Sequence, residues 1–298
     1  MNPILLQLLA CPRCRGALDG SARALRCPRC DVDFEVVQDI PRLNDGATQR
    51  DPKIAAEWEV QRRCKELYVD EESIVNHLET LVLPRIIGWL GELEGPVLDL
   101  GCGVGFLGRA WANQTKLRNP LVGLDLQVAL LDEANAGYVG RVEGDVHRLP
   151  FKDEAFGAVV VANALHHMSD PVRALSEVRR VVKLGGKIVS CDPREFSLLE
   201  RVKRVIRRND DHFSEYHRAF GLPEYRRIFE AAGLDLERLG FADPLGPLVA
   251  TGLDILKVGR FGVARAAASL LERTDSMIDR VDPTNRAGFT VVAQARRA

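Results

Sequence analysis

The sequence predicts an α/β protein in which a seven-stranded sheet carries helices on both faces and follows a small metal-stapled domain. Short apolar segments alternate with helical segments from residue 96 onward, a pattern typical of parallel strands joined by crossover helices. Two Cys-Pro-Arg-Cys segments lie near the start of the chain, in a unit too small for its hydrophobic core alone to stabilise it, so a bound metal is expected to stabilise the fold. At 298 residues the chain has room for one large and one small domain.

The predicted elements follow a regular order. The seven strands span residues 96–100, 121–125, 139–143, 157–162, 186–191, 234–241 and 289–295. A helix over 223–232 precedes the sixth strand. Nearer the start, segments 25–26 and 34–37 are candidates for short strands. Between 51 and 93 apolar residues recur at helical spacing, and Pro84 should bend or divide that helix.

Three parts are therefore expected along the chain. They are a metal-binding ribbon over 1–45, a helical linker or cap over 46–94, and the sheet domain over 95–298. Two helical insertions interrupt the sheet domain, a lid at about 194–220 and a second segment at about 245–283. Apolar stretches in the second insertion can cover a pocket or form a homodimer surface.

Charge and cysteine usage exclude several classes of protein. The formal net charge is −1, so no global field attracts nucleic acid or an anionic membrane, and such binding would need a local patch. No apolar run is long enough for a transmembrane segment, and Met1–Ala10 is too short and lacks the basic leader of a secretory signal. The cysteines outside the two knuckles are scattered, which favours a reducing, cytoplasmic location.

The two knuckles have the spacing of a zinc site. Their ligands would be Cys11, Cys14, Cys27 and Cys30. Four thiolates satisfy tetrahedral Zn²⁺ and leave no position for water, which predicts a structural zinc ribbon. Arginines beside the cysteines could meet RNA phosphates, but nearby aspartates offset them, so a solvated surface is the alternative.

A glycine-rich turn directly follows the first predicted strand. Gly101, Gly103 and Gly105 allow backbone N–H groups to approach a ligand at a helix N-terminus. The run Gly103–Gly108 also matches the dinucleotide fingerprint, but its frame is two residues late. Asp99 at the end of the strand would repel a pyrophosphate, and it suits a ligand that bears an ammonium group and a sulfonium.

Two further acids end the next two strands. Asp125 can accept both ribose hydroxyls, and Asp145 can accept a hydrogen bond from an adenine amino group. Leu126 and Val146 can enclose the ring. Each acid alone could be a helix cap, but acids at three successive strand ends predict one cofactor site.

The chain resembles the class I S-adenosylmethionine-dependent methyltransferases, in the group that includes ubiquinone and menaquinone C-methyltransferases. The matching segments are 97–105, 123–125, 144–145, 149–151, 156–157, 163–167 and 184–187. The resemblance implies a Rossmann-like sheet and S-adenosylmethionine as cofactor. It implies that Asp99, Gly101 and Gly103 line the methionine end, and that Asn163 lies near the sulfonium. Residues 8–45 resemble the zinc ribbon of bacterial large-subunit ribosomal RNA guanine methyltransferases, and similar ribbons precede many uncharacterised small-molecule methyltransferases.

Four residues are candidates for the chemistry itself. His167 and Asp192 follow the fourth and fifth strands at the edge where ligands bind in open α/β folds. His167 either contacts the substrate or the cofactor, or is a loop histidine that only packs. The packing role is favoured more strongly for the neighbouring His166. His212 and His217 in the lid are candidate general bases.

These observations favour methyl transfer to an O, N or C nucleophile of a small or medium-sized metabolite. Arginines in the lid, within 201–208, could hold a phosphate on such a substrate, or could form a solvated basic face. The alternatives are a ribosomal or transfer RNA base methyltransferase guided by the ribbon, and a non-catalytic partner-binding protein with a methyltransferase fold. RNA is the less favoured partner because the net charge is close to zero.

Overall fold

The computed structural model describes most of the ribbon and of the sheet domain. The described residues are 1–20, 23–44, 82–114, 118–195, 219–242, 270, 274, 277, 288 and 290–298. Several predictions lie outside them: the linker before residue 82, most of the lid with His212 and His217, and nearly all of the second insertion. The predicted domain boundaries therefore stay predictions.

The main sheet has seven strands in the described part of the chain, which confirms the predicted α/β class. Its strands are β5 (Val97–Leu100), β6 (Leu121–Asp125), β7 (Tyr138–Glu143), β8 (Phe156–Ala162), β9 (Val182–Pro193), β10 (Asp235–Ala242) and β11 (Thr290–Arg296). Their order is β10-β11-β9-β8-β5-β6-β7. The pairs from β9 to β7 are parallel, and β11 runs antiparallel to both of its neighbours. The strand order reverses at β5, so the glycine turn lies at the switch point, where open α/β sheets bind ligands.

Each face of the sheet carries its own apolar layer. The helices are α2 (Leu83–Leu90), α3 (Phe106–Asn113), α4 (Val128–Leu131), α5 (Pro171–Val181) and α6 (Leu222–Ala231). One layer unites α2 and α3 with the sheet, and the other unites α5 and α6 with it. Pro84 lies in the first turn of the described helix α2. A proline is tolerated there because the first N–H groups of a helix have no partner within it.

Strand β9 begins four residues before its predicted start. Phe156 pairs with Val182, and the register then shifts before Ala158 pairs with Lys187. A Cβ on Gly186 would lie 2.5 Å from Val182 Cγ1 and 2.8 Å from the Gly157 carbonyl oxygen. The irregular segment therefore needs glycine at this position. Because it lacks a regular apolar pattern, the sequence did not indicate that the strand begins here.

The ribbon consists of one helix and a second, small sheet. Its elements are α1 (Pro3–Leu8), β1 (Asp19–Gly20), β2 (Ala24–Cys27), β3 (Val32–Val37) and β4 (Ile40–Pro41). The four strands are antiparallel in sequence order. Asn2 caps α1, because its side-chain oxygen accepts a hydrogen bond from the Ile4 N–H at 2.8 Å.

The ribbon docks directly on the β7 end of the main sheet. The Leu43 N–H donates to the Glu143 carbonyl at 2.8 Å, and the Ala10 N–H donates to the Pro150 carbonyl at 2.9 Å. Leu5 is buried against Gly140, where an added Cβ would lie 2.6 Å from Leu5 Cδ2. One apolar core contains buried residues of both units. The ribbon therefore supports the segment that follows β7, which carries Asp145.

No helix within the described ranges is long and apolar enough to cross a bilayer.

Candidate functional site

The turn after β5 uses glycine at every position where the backbone is left-handed. Gly101, Gly103 and Gly105 have φ values of +74°, +50° and +87°. The N–H groups of Gly101 and Cys102 donate to the Leu124 carbonyl at 2.8 and 3.0 Å, which ties the turn to β6. A Cβ on Gly103 would meet nothing within 4 Å, so this part of the turn faces open space. The turn thus presents backbone at the carboxyl edge of the sheet.

Asp125 is fixed against this turn at the end of β6. Its Oδ2 accepts a hydrogen bond from the Gly103 N–H at 2.9 Å, and its Oδ1 accepts one from the Gln127 N–H at 2.9 Å. Burial raises the pKa of this carboxyl group, although the backbone donors oppose the shift. Leu126 follows it and is half-buried. The carboxylate is therefore held in one orientation beside the glycine turn.

Asp99 is buried beneath the same turn, and its partner is Tyr138. The Tyr138 hydroxyl donates to Asp99 Oδ2 at 2.6 Å and accepts from the Gly108 N–H at 3.1 Å. Burial raises the pKa of Asp99 to about 7, the tyrosine hydrogen bond opposes this shift, and the nearby charge of Asp125 adds to it. A cation bound beside these two acids would relieve their mutual repulsion.

Asp145 is fixed by His147, two residues further along. Oδ1 of Asp145 accepts from the His147 backbone N–H at 2.8 Å and lies 2.9 Å from Nδ1 of the same residue. The imidazole Nε2 accepts from the Asp170 N–H at 3.3 Å, so the proton lies on Nδ1 and is donated to Asp145. Both side chains are buried, and Val146 between them is half-buried.

Asn163 follows β8 in a left-handed conformation, with φ of +51°. Its N–H donates to the Cys191 carbonyl at 2.8 Å. A Cβ on Gly101 would lie 2.6 Å from Ala164 Cβ, so the turn after β8 packs against the glycine turn. The structure thus brings the predicted cofactor residues together at one edge of the sheet.

A buried hydrogen-bond network lies beside this edge, around Asp192. His166 donates to Asp192 Oδ1 twice, from its backbone N–H at 3.1 Å and from Nδ1 at 2.8 Å. Tyr225 donates its hydroxyl hydrogen to Asp192 Oδ2 at 2.7 Å, and Ser190 donates to the tyrosine oxygen at 2.5 Å. Burial raises the pKa of Asp192 to about 7, and these hydrogen bonds oppose the shift. Asp192 is fully buried, and its carboxylate is bonded to His166 and Tyr225, so its candidate role in substrate contact stays a prediction.

His167 lies between the two groups of acids. Its positive form would lower the pKa of both Asp125 and Asp192. The rings of His166 and His167 are 3.9 Å apart between centroids. His166 is buried and His167 is half-buried.

Sequence reasoning ranked His166 below His167, and it missed Tyr138, His147 and Tyr225. The position of His147 two residues after Asp145 carried a usable signal, because aspartate commonly accepts from the backbone two residues later. Nothing in the apolar pattern marks Tyr138, which is 39 residues away from Asp99. The contact exists only because β7 and β5 flank the same strand.

The four ribbon cysteines form one cluster. Their sulfurs all lie within 4.8 Å of one another, with Cys14 and Cys27 3.5 Å apart and Cys11 and Cys30 4.0 Å apart. A tetrahedral Zn²⁺ with Zn–S bonds of about 2.3 Å requires S···S distances of about 3.8 Å. The Gly16 N–H donates to Cys14 and lowers the pKa of that thiol to about 7. By contrast, burial raises the pKa of Cys11, and the hydrogen bond with Cys14 raises the pKa of Cys30 to about 12. The donor set and spacing therefore fit a closed zinc site.

Known proteins resemble this chain in its central part. The family model described as a methyltransferase domain matches residues 98–190. Over 183 residues the chain is 29% identical to the methyltransferase GfsG of Streptomyces halstedii, covering 57% of this chain and 66% of that protein. Over 71 residues it is 39% identical to a demethylmenaquinone methyltransferase of Mycobacterium sp., covering 24% and 31% of the two chains. The match spans less than half the length of the first curated relatives.

A solved structure resembles the whole fold. It is an S-adenosylmethionine-dependent methyltransferase from Thermotoga maritima, described as a possible histamine N-methyltransferase. The TM-score is 0.57 at 17% identity, over 81% of this chain and 100% of that one. At this identity the likeness concerns the fold alone. Taken with the family match, it means that the chain contains a methyltransferase domain with the class I S-adenosylmethionine-dependent fold.

Proposed function

We propose that this protein transfers the methyl group of S-adenosylmethionine to a small or medium-sized metabolite. The observation that carries the proposal is the convergence of Asp99, Asp125 and Asp145 on one sheet edge around the glycine turn. Three acids at this edge suit a ligand with a positive charge and several hydrogen-bond donors, and they disfavour a pyrophosphate.

The described residues fit the cofactor piece by piece. The open space above Gly103 allows a ligand to approach the backbone closely. Asp125 and Asp145 are oriented acceptors, suited to the ribose hydroxyls and the adenine amino group, with Leu126 and Val146 beside the ring. Asp99, together with Gly101 and Gly103 of the turn, would hold the amino-acid end, with Gly105 completing the turn, and Asn163 would lie near the sulfonium. When bound, the cofactor supplies an electrophilic methyl group.

The chain itself would position the nucleophile and receive its proton. Since Nδ1 of His166 donates to Asp192, its Nε2 is the nitrogen able to accept a proton. Tyr225 and Asp192 fix the imidazole through buried hydrogen bonds, as a positioning pair for that base. We assign the proton-accepting role to His166, and we keep His167 as a substrate contact and His212 and His217 as lid candidates.

A metabolite is favoured over RNA by the charge pattern of the ribbon. Arg26 forms ion pairs with Asp31 and with Asp33, the latter at 3.2 Å. The N-terminal ammonium pairs with Asp39 at 2.6 Å. These contacts interrupt a basic track along the outer strands of the ribbon, which an RNA would need. One relative is named for demethylmenaquinone, which is itself a small molecule.

The ribbon would hold a structural Zn²⁺ through Cys11, Cys14, Cys27 and Cys30. Filling all four positions with protein sulfur leaves the metal no catalytic opening, so its contribution is to fold the ribbon. We further propose a cytoplasmic location, since free thiols dominate the cysteine inventory of the described residues. A homodimer through the second insertion stays part of the proposal.

The proposal is tested with labelled S-adenosylmethionine. Purified protein and the [methyl-¹⁴C] cofactor are incubated with cell extract separated into RNA, lipid and small-molecule pools. Label is expected in the small-molecule or lipid pool. Label confined to RNA would establish the ribosomal or transfer RNA alternative instead.

Calorimetry with S-adenosylmethionine tests the cofactor site separately. Asp125→Asn is expected to weaken binding at least tenfold, or about 1.4 kcal/mol, because the ribose loses a charged acceptor. The matched control is Asp132→Asn, an exposed carboxylate on the turn after α4. Absence of any cofactor binding by the wild-type protein would favour the non-catalytic partner-binding alternative.

A further inference from the structure

A cleft lies between the first zinc knuckle and the methyltransferase domain. Its volume is about 540 Å³. The ribbon contributes Pro12 to Arg15, and the sheet domain contributes His147 to Leu149 together with Arg173, Ser176 and Glu177 of α5. A cleft of this size can hold a small ligand, since such pockets are typically about 300–1,000 Å³.

Four guanidinium groups line this cleft. They belong to Arg13, Arg15, Arg148 and Arg173, all of them exposed. Within the described residues, the guanidinium groups of Arg13 and Arg173 have no carboxylate within ion-pair distance. Two of the four positive charges are therefore available to a ligand without breaking an existing ion pair.

The one acid of the cleft is already neutralised. Glu177 accepts from Arg180 at 3.0 Å through Oε1 and at 2.7 Å through Oε2. Arg15 donates to the same Oε1 at 2.9 Å, and the Leu149 N–H donates to Oε2 at 3.0 Å. Arg180 lies outside the cleft and also pairs with Asp153 at 2.8 Å, so the lining is positive because its four arginines outnumber the single carboxylate of Glu177.

The cleft is separate from the cofactor edge but adjoins it. His147 lines the cleft, and its Nδ1 donates to Asp145. Asp145 itself does not line the cleft. An anion in the cleft would therefore lie one side chain away from the proposed adenine position.

We infer that this cleft binds a phosphate-bearing small molecule, with a diphosphate group held between the ribbon and α5. Guanidinium groups match phosphate oxygens in geometry and charge, and clusters of them bind anions even where the protein as a whole is nearly neutral. Arg26 on the outer strands of the ribbon is paired with aspartates, whereas four arginines are grouped around this one cleft. That concentration favours a compact anion over an extended polynucleotide.

Calorimetric titration of the full chain, loaded with zinc, with sodium diphosphate tests the inference. The Arg13→Ala/Arg173→Ala double variant is expected to bind diphosphate at least tenfold more weakly than the wild type. The control is Arg227→Ala, an exposed arginine on α6 whose guanidinium, among the described residues, donates to the Pro223 carbonyl of its own helix and to no other group. It should bind as the wild type does, and circular dichroism checks that both variants are folded.

Inorganic phosphate and a short RNA oligonucleotide complete the test. Phosphate should bind more weakly than diphosphate and compete with it. Equal diphosphate affinity in the double variant and the wild type, or no diphosphate binding at all, would overturn the inference. So would RNA binding that the double variant loses and that diphosphate does not displace, because the ligand would then be a nucleic acid.

Discussion

The pKa of Asp99 makes cofactor affinity depend on pH in a calculable way. Burial raises this pKa to about 7. In the binding mode proposed above, the ionised carboxylate would attract the ammonium group of the cofactor, and the neutral acid would not. About half of the Asp99 side chains are ionised at pH 7 and about one tenth at pH 6. The affinity for S-adenosylmethionine should therefore fall about fivefold as the pH is lowered from 7 to 6.

The assay is calorimetric titration with S-adenosylmethionine in the absence of any methyl acceptor. Binding is the right readout, because Asp192 also has a pKa of about 7 and would add its own pH dependence to a rate. The amino group of the cofactor stays protonated over this range, so its titration does not contribute. The Asp99→Asn variant removes the titrating group and should show weak binding that is the same at both pH values.

Two results would refute this reasoning. One is a wild-type affinity that is equal at pH 6 and pH 7. The other is an Asp99→Asn variant that keeps the fivefold difference, which would assign the titration to another group. Asp132→Asn serves as the control and should keep the wild-type pH dependence.

Three further predictions follow from the packing and from the buried network. Leu5→Ala removes a buried contact between the ribbon and the sheet, so it should lower the free energy of unfolding by about 2–5 kcal/mol, measured by urea denaturation. The control is Ile4→Ala at an exposed position, which should change the free energy of unfolding by less than about 0.5 kcal/mol. The purified protein should contain one zinc by atomic absorption, and a chelator or Cys27→Ser should lower both its melting temperature and its cofactor affinity; an unchanged melting temperature would contradict a structural metal. With the substrate that the labelling experiment finds, His166→Ala should lower kcat at least about 100-fold, and Asp192→Asn should lower it less and shift the pH profile; a kcat within twofold of wild type in His166→Ala would exclude the proton-accepting role.

Much of the fold could be predicted because its signals are local. The central strands β5, β6 and β8 are short apolar runs bounded by turn residues, and these runs alternate with helical segments. The glycine turn and the acids at the carboxyl ends of β5, β6 and β7 were predicted because the carboxyl ends of parallel strands share one edge. Strand β9 was placed less well, since its early part contains a register shift around two glycines and has no apolar alternation.

The contacts that tune the site could not be predicted, because they join distant parts of the chain. Tyr138 reaches Asp99 across a neighbouring strand, and Tyr225 reaches Asp192 from a helix 33 residues further along the chain. Which of two adjacent histidines turns toward Asp192 depends on the short 3₁₀ helix Leu165–His167, whose geometry is set by packing.

The amino-acid sequence by itself determined the class of the sheet, the glycine turn, the order of the acids and the spacing of the cysteines, because each depends on residues that are close together in the chain. Only the tertiary structure decided that the ribbon shares a core with the sheet and that the knuckle arginines meet Arg148 and Arg173 in a common cleft. Burial and charge proximity depend on which surfaces come together. That is why the raised pKa of Asp99 and the neutralisation of Glu177 by Arg180 belong to the folded chain alone.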